Sequence, residues 1–307
     1  MGILCPVLRE GLGAVEIDML VVAGLASTAV VWTLLSARLE RFNISAPMWF
    51  VAVGFLLVSF PSGLDVGIAN EGLRQMAEIA LAIVLFSDAA RVNITDLRRD
   101  AGLPIRLLVV GLPLTIGLGT LVAHFVFPSL SWWVCAVIGA AVAPTDAALG
   151  AAIIEDERVP ERIRRVLNVE SGLNDGIATP FVKFFLVAAV AGTALEVESE
   201  GGALLELAVG VAGGAAIGFV AAWLLQRARD HGWVAASYRE VGVAAVAFLG
   251  YAAVIEIGGN GFVGAFVAGI AFGAATRDEL EESLAFTHDL AELASLVVWF
   301  MFGAVML

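Results

Sequence analysis

Residues 132–154 read WWVCAVIGAAVAPTDAALGAAII. A helix of about 20 apolar residues crosses the hydrocarbon core of a bilayer, and this stretch is long enough to do so. Its one charge is Asp146, directly after Pro144 and Thr145. Proline removes a backbone N–H and clashes with the preceding turn, so the helix is expected to break or unwind over residues 143–147. Unwound backbone at membrane depth frees carbonyl groups that a bare monovalent cation can use as ligands. Asp146 would add a formal negative charge beside them, an arrangement that recurs in transporters. The plainer alternative is a proline kink with Asp146 near a water-exposed end.

Outward from this stretch, the chain repeats the same apolar texture. Of 307 residues, 60% are hydrophobic and only 15% charged, with a mean hydropathy of +0.93. A soluble domain keeps roughly a quarter of its residues charged to stay wet, so this composition predicts an integral membrane protein. Ten apolar segments are expected, at about 17–37, 47–60, 73–90, 105–127, 132–154, 164–192, 203–226, 239–257, 260–274 and 285–307. Their length argues for helices, because barrel strands are shorter and alternate in polarity. The second and ninth are short and contain glycine, which predicts tilted helices or helices buried among others. Gly210, Gly214 and Gly218 form a small-residue ladder in the seventh, and Gly261, Gly264, Gly269 and Gly273 crowd the ninth. Such ladders predict close helix packing within one subunit, or a dimer interface.

The net charge of −13 comes from acidic residues that sit mainly in the connections. Arginines fall in alternate connections: Arg38 and Arg41; Arg91, Arg98, Arg99 and Arg106; Arg158, Arg162, Arg164 and Arg165; Arg227, Arg229 and Arg239; and Arg277. The opposite set holds only Arg9 and Arg74. The positive-inside rule then places the arginine-rich side in the cytoplasm and the N-terminus outside. Cys5 and Cys135 offer neither a disulfide framework nor a metal spacing. No cleavable signal peptide is recognisable in the first residues, so the first span is expected to direct membrane insertion.

A second polar interruption lies in the sixth segment, at Glu170-Ser171-Gly172-Leu173-Asn174-Asp175. Residues four apart share a helix face, which pairs Glu170 with Asn174 and Ser171 with Asp175. Ser171 and Asp175 could present a hydroxyl and a carboxylate to one ion. Glu170 and Asn174 would form a neighbouring stripe in need of a donor, such as an arginine from another helix. The alternative is a juxtamembrane helix start, given Arg164 and Arg165 shortly before. Ionisable groups within spans are costly and mark ion pathways by default. Burial favours the protonated form of a carboxylate and a nearby cation favours the ionised form, so one site can hold either a proton or a cation. With two-sided access, that competition is antiport. Asp88 is read as an interfacial polar cap or a pathway residue. Lys183, the only lysine, is expected to snorkel. His124 and His288 have no partner at metal-ligand spacing.

At these residues the chain resembles the monovalent cation:proton antiporter family 1, the NhaP-like and eukaryotic exchanger group. The resemblance rests on APTDAALG (143–150), VPERIRRVLNVESGLNDGIATP (159–180), LFSDAARVNITDLRR (85–99) and GYAAVIEIGGNGFVGAFVAGIAFG (250–273). It implies an all-α polytopic membrane protein with an inverted-repeat fold of crossed, unwound helices. The whole of 1–307 would form one transmembrane domain: a first repeat at about 17–192, a linker helix at about 203–226 and a partial second repeat at about 239–307. It implies that Thr145 (through its backbone), Asp146, Ser171 and Asp175 hold a monovalent cation, most simply sodium, in exchange for a proton. Glu170, Asn174 and Asp88 would support them. It also implies a homodimer in the plasma (inner) membrane, no cofactor and no enzymatic activity. An Asn-Asp pair is the pattern the family associates with electroneutral exchange. Family members continue through three more helices, which carry the second unwound helix and the arginine expected to face Glu170. The chain is therefore expected to be truncated, with a non-transporting remnant or regulatory partner as the rival reading.

Other classes find little support. An intramembrane aspartyl protease needs a Gly-x-Gly-Asp context that neither Asp146 nor Asp175 has. No glycine loop leads from a strand to cradle phosphate, and no basic aromatic patch predicts nucleic-acid binding.

Overall fold

The computed structural model describes residues 19–59, 70–92, 102–145, 158–191, 200–276 and 281–306. The described residues form helices α1 (Met19–Leu39), α2 (Ala46–Ser59), α3 (Asn70–Ala90), α4 (Gly102–Val126), α5 (Trp132–Val142) and α6 (Glu161–Ala191). They continue with α7 (Glu200–Asp230), α8 (Ala236–Glu256), α9 (Gly261–Thr276) and α10 (Glu281–Met306). Stretches within five of them, in α1, α4, α7, α8 and α10, are long and apolar enough to cross a membrane. The chain is an integral membrane protein.

Local chemistry sets several helix ends. Ser131 caps α5 by accepting a hydrogen bond from the Val134 amide (3.3 Å), satisfying a donor the helix cannot. At the far end α5 stops at Val142, and Ala143, Pro144 and Thr145 lie outside the helix. The α8–α9 connection is a tight reversal. Gly258 takes a left-handed φ of 79°, which glycine adopts without a Cβ penalty. Buried Asn260 then caps α9 through its Oδ1, which accepts from the amides of Phe262 (3.1 Å) and Val263 (3.3 Å). Helix α4 is not uniform: it passes through a π turn at Leu107–Gly111 just before Pro113. A wider turn next to a proline accommodates the ring that would otherwise meet the preceding carbonyl.

Two compact units emerge, 1–80 with 291–307, and 81–290. In the first, Val21, Phe50, Phe300 and Met301 form the core where α1, α2 and the end of α10 meet. Small residues let these helices approach. A Cβ on Gly303 would overlap the Val51 carbonyl, and one on Gly54 the Phe300 carbonyl.

The second unit is organised around α9, the most buried helix. Gly261, Val263, Gly264, Ala265, Phe266, Ala268, Gly269 and Phe272 are all inaccessible. The glycine ladder of α7 faces it: Gly210 abuts Asn260 and Val263, Gly214 abuts Gly264, and Gly218 abuts Ala268. On other sides of α9, Gly264 meets Gly250 and Val254 of α8, and Gly269 and Gly273 meet Phe86 and Ala90 of α3. Both glycine sets thus serve packing within the chain, and the short ninth helix is buried among others. A second seam joins α4 and α5, where Gly139 sits against Ile116 and Thr120. Leu112, Ile116, Ala140, Ala143 and Ala178 tie that seam to α6.

Lys183 corrects the sequence expectation. Its Nζ reaches Glu206 Oε2 of α7 at 3.5 Å, so it pairs across helices instead of snorkelling alone. Glu206 lies near the first turn of α7, where α6 and α7 are brought together only by the fold.

Candidate functional site

The site begins where α5 ends. Loss of helical structure at Ala143–Thr145 turns Thr145 toward α6, whose residues Glu170 and Asn174 stack one turn apart on the facing side. Thr145 Oγ1 donates to Glu170 Oε2 at 3.0 Å. Asn174 Nδ2 donates to Thr145 Oγ1 at 2.8 Å and to Glu170 Oε1 at 3.3 Å, with the Thr145 carbonyl at 3.4 Å. The three side chains therefore close a ring that joins the proline-interrupted segment to the polar face of α6.

The amide orientation of Asn174 follows from its surroundings. A carboxylate oxygen and a carbonyl around one end of the side chain can only accept, so the NH2 group must face them. The Asn174 side chain is 1% exposed, and its Oδ1 has no hydrogen-bond partner among the described residues. A buried acceptor left unsatisfied costs about 1–3 kcal/mol, and such groups in native proteins call for a functional explanation.

The apolar setting is as specific as the polar ring. Leu173, next to Asn174, packs with Leu85, Ala89, Val92, Leu108 and Phe266. Gly176 gives way to the ring of Phe266 from α9, which would overlap any Cβ there. Glycine at this position lets the central helix press directly against α6, one residue beyond Asp175.

Of the residues singled out in the sequence, Thr145, Glu170 and Asn174 come together in this ring. Asp146 lies outside the described residues, as do the side chains of Ser171 and Asp175. Asp88 is not among the side chains of this ring; it is half-buried near the end of α3, with His288 of α10 and Arg91 nearby. Two features go beyond the sequence reading. Thr145 takes part in the ring through its hydroxyl. Glu170 finds donors in Thr145 and Asn174 among the described residues. The spacing of Glu170 and Asn174 was the available signal for half of this. The partner 25 residues earlier in the chain had none.

Comparison with known proteins bears on what such a site does. The profile of the sodium/hydrogen exchanger transmembrane family matches residues 25–307. A K+/H+ antiporter NhaP2 of Shewanella sp. (strain ANA-3) is 27% identical over 81% of this chain and 43% of its own length. A sodium, potassium, lithium and rubidium/H+ antiporter of Bacillus pumilus (strain SAFR-032) is 28% identical over 79% of this chain and 36% of its own. The chain thus spans less than half the length of these relatives. Among solved structures, the sodium proton antiporter MjNhaP1 of Methanocaldococcus jannaschii superposes with a TM-score of 0.73. That match has 20% identity and covers 93% of this chain and 70% of the other.

Proposed function

Because this chain belongs to the sodium/hydrogen exchanger transmembrane family, we propose that it forms the ion-binding part of an antiporter that exchanges a monovalent cation for a proton. Asp146 and Asp175 are the exchangeable carboxylates in this reading, with Thr145 and Ser171 as neutral oxygen ligands. Glu170 and Asn174 hold the proline-interrupted segment in register with α6.

The observation that carries the reading is the Thr145–Glu170–Asn174 ring. It fixes the residue preceding Asp146 against the helix that carries Asp175, which supports a reading in which both aspartates serve one site. Two such groups in one site titrate as a pair and not singly. A cation entering between them favours the doubly ionised state and expels a proton; a returning proton weakens the cation's hold. Ion exchange needs no cofactor and no covalent step. Sodium is the leading substrate, and potassium is the alternative suggested by the relatives' names. The inverted-repeat arrangement, a homodimer and a plasma-membrane location with the N-terminus outside belong to the same proposal.

The test is proton flux in vesicles carrying the protein, driven by separate pulses of sodium, potassium and lithium. Cation-dependent alkalinisation with the wild-type chain and its loss in Asp175→Ala are expected. Flux retained in Asp175→Ala would remove the carboxylate from its assigned role.

A further inference from the structure

We propose that the α7–α8 hairpin is a docking surface for the headgroup of an anionic phospholipid. The hairpin is a folded unit. Gly232 takes a φ of 68°, and the Gly232 and Trp233 amides donate to the Arg229 and Ala228 carbonyls, both at 2.8 Å. Glycine in the left-handed conformation with these two back-bonds closes the C-terminus of α7. His231 adds a further tie, its Nδ1 lying 2.7 Å from the Arg227 carbonyl, while its ring packs on Trp233 at 4.9 Å. This geometry holds Trp233 out at the tip, 73% exposed, with Tyr238 equally exposed on the first turn of α8. Large aromatic rings held in the open at the end of spanning helices are suited to the headgroup layer, which accepts both a flat apolar ring and its polar edge.

Charge selects the lipid. Arg229 lies 3.7 Å from Asp230, but neither Arg227 nor Arg239 has a carboxylate partner among the described residues. Arg227 instead lies over the Trp223 ring, 5.9 Å from its centroid. The Arg239 Nε is buried with no acceptor among the described residues, although Glu240 is next in sequence. The first turn of α8 also begins without a side-chain cap at Ala235. The guanidinium groups of exposed Arg227 and half-buried Arg239 are matched to the geometry of a phosphodiester, to whose oxygens they can donate.

The adjoining surface argues for a lipid over a free phosphate. Below the arginines, α7 exposes Phe219, Val220, Trp223 and Leu224, which gives acyl chains a wall directly continuous with the cationic hairpin. A soluble anion would gain nothing from that wall.

The experiment is native mass spectrometry of the detergent-solubilised chain with equimolar phosphatidylglycerol and phosphatidylcholine. The wild-type chain should retain phosphatidylglycerol preferentially. Each arginine near a membrane surface contributes a factor of about five. Arg227→Gln and Arg239→Gln should therefore each lower the preference about five-fold, and roughly 25-fold together. The charge-preserving pair Arg227→Lys and Arg239→Lys should keep most of it, and Arg74→Gln should leave it unchanged. Circular dichroism of each variant checks that the helices persist; if the double glutamine variant unfolds, the single variants carry the comparison. The proposal is overturned by equal retention of the two lipids in the wild type. It is also overturned by an unchanged preference in the glutamine variants, or by displacement of phosphatidylglycerol by inorganic phosphate alone.

Discussion

Replacing Asn174 by leucine separates a structural role from a functional one. The two side chains share a branched shape, so no cavity opens in the Leu173–Phe266 core beside it. The larger leucine methyls overpack this buried position at a cost of about 1–3 kcal/mol. The substitution loses a short neutral hydrogen bond to Thr145 Oγ1 (2.8 Å), worth about 1 kcal/mol, and a longer one to Glu170 Oε1 (3.3 Å), worth about 1–2 kcal/mol. It also removes the buried Oδ1 that has no partner, which returns about 1–3 kcal/mol. With the overpacking added, the balance at mid-range leaves Asn174→Leu destabilised by about 2–3 kcal/mol. By the size scaling of unfolding, that is a shift of the melting midpoint of roughly 5 °C or less. Transport should respond differently. Without the amide, Thr145 loses the bond from Asn174, and the ring that holds the segment leading to Asp146 against α6 is opened. Cation-driven proton flux should fall at least about ten-fold. Thermal melts followed by fluorescence-detected size exclusion, run beside vesicle flux, read both quantities. A variant that melts far below the wild type while the folded fraction transports normally would refute the reasoning, because Asn174 would then be a packing residue.

Thr145→Val keeps the shape and removes the hydroxyl that bridges Glu170 and Asn174. Thr145 is exposed in the described structure, so the stability cost should be small, about 1–2 kcal/mol. Flux should drop and Thr145→Ser should restore most of it; equal activity in the valine and serine variants would show that only the backbone matters. Gly264→Ala would place a methyl 2.6 Å from the Gly250 carbonyl and 2.7 Å from Val254 Cβ. Overpacking of about 1–3 kcal/mol then outweighs the gain of up to about 1 kcal/mol in helix propensity, so the melting midpoint should fall. At Gly242 nothing lies within 4 Å of the added methyl, so Gly242→Ala should raise it. The reverse order of the two midpoints would contradict the packing assigned to α9.

Much of the fold was written in local pattern. Apolar run length placed the helices to within a few residues, except the fifth segment, whose helix stops at Val142 and whose residues 146–154 lie outside the described residues. Crossing a bilayer demands a minimum span and punishes interior charge. Pro144 marked the end of α5, and the glycines at 210, 214 and 218 marked a close helix contact. Their partner did not follow from the ladder itself: only the fold shows that α9 fills the groove. The candidate site divides the same way. Glu170 and Asn174 share a face by spacing alone, whereas Thr145 joins them through a tertiary contact that no periodicity encodes. Lys183 failed for the same reason, since its partner Glu206 sits on the next helix across a connection. Asn260 was included at the start of the ninth segment with no role assigned, though it caps the central helix.

The central claim is that one pair of carboxylates holds a proton or a cation, but not both. Proton release on cation binding tests this without requiring transport. The detergent-solubilised protein in weakly buffered solution is titrated with sodium chloride, with choline chloride as the control, while a pH indicator is followed. The account predicts saturable acidification, close to one proton per bound cation near the midpoint of the site's titration, that disappears in Asp175→Asn. Sodium binding with no proton released, or release that persists undiminished in Asp175→Asn, would contradict it.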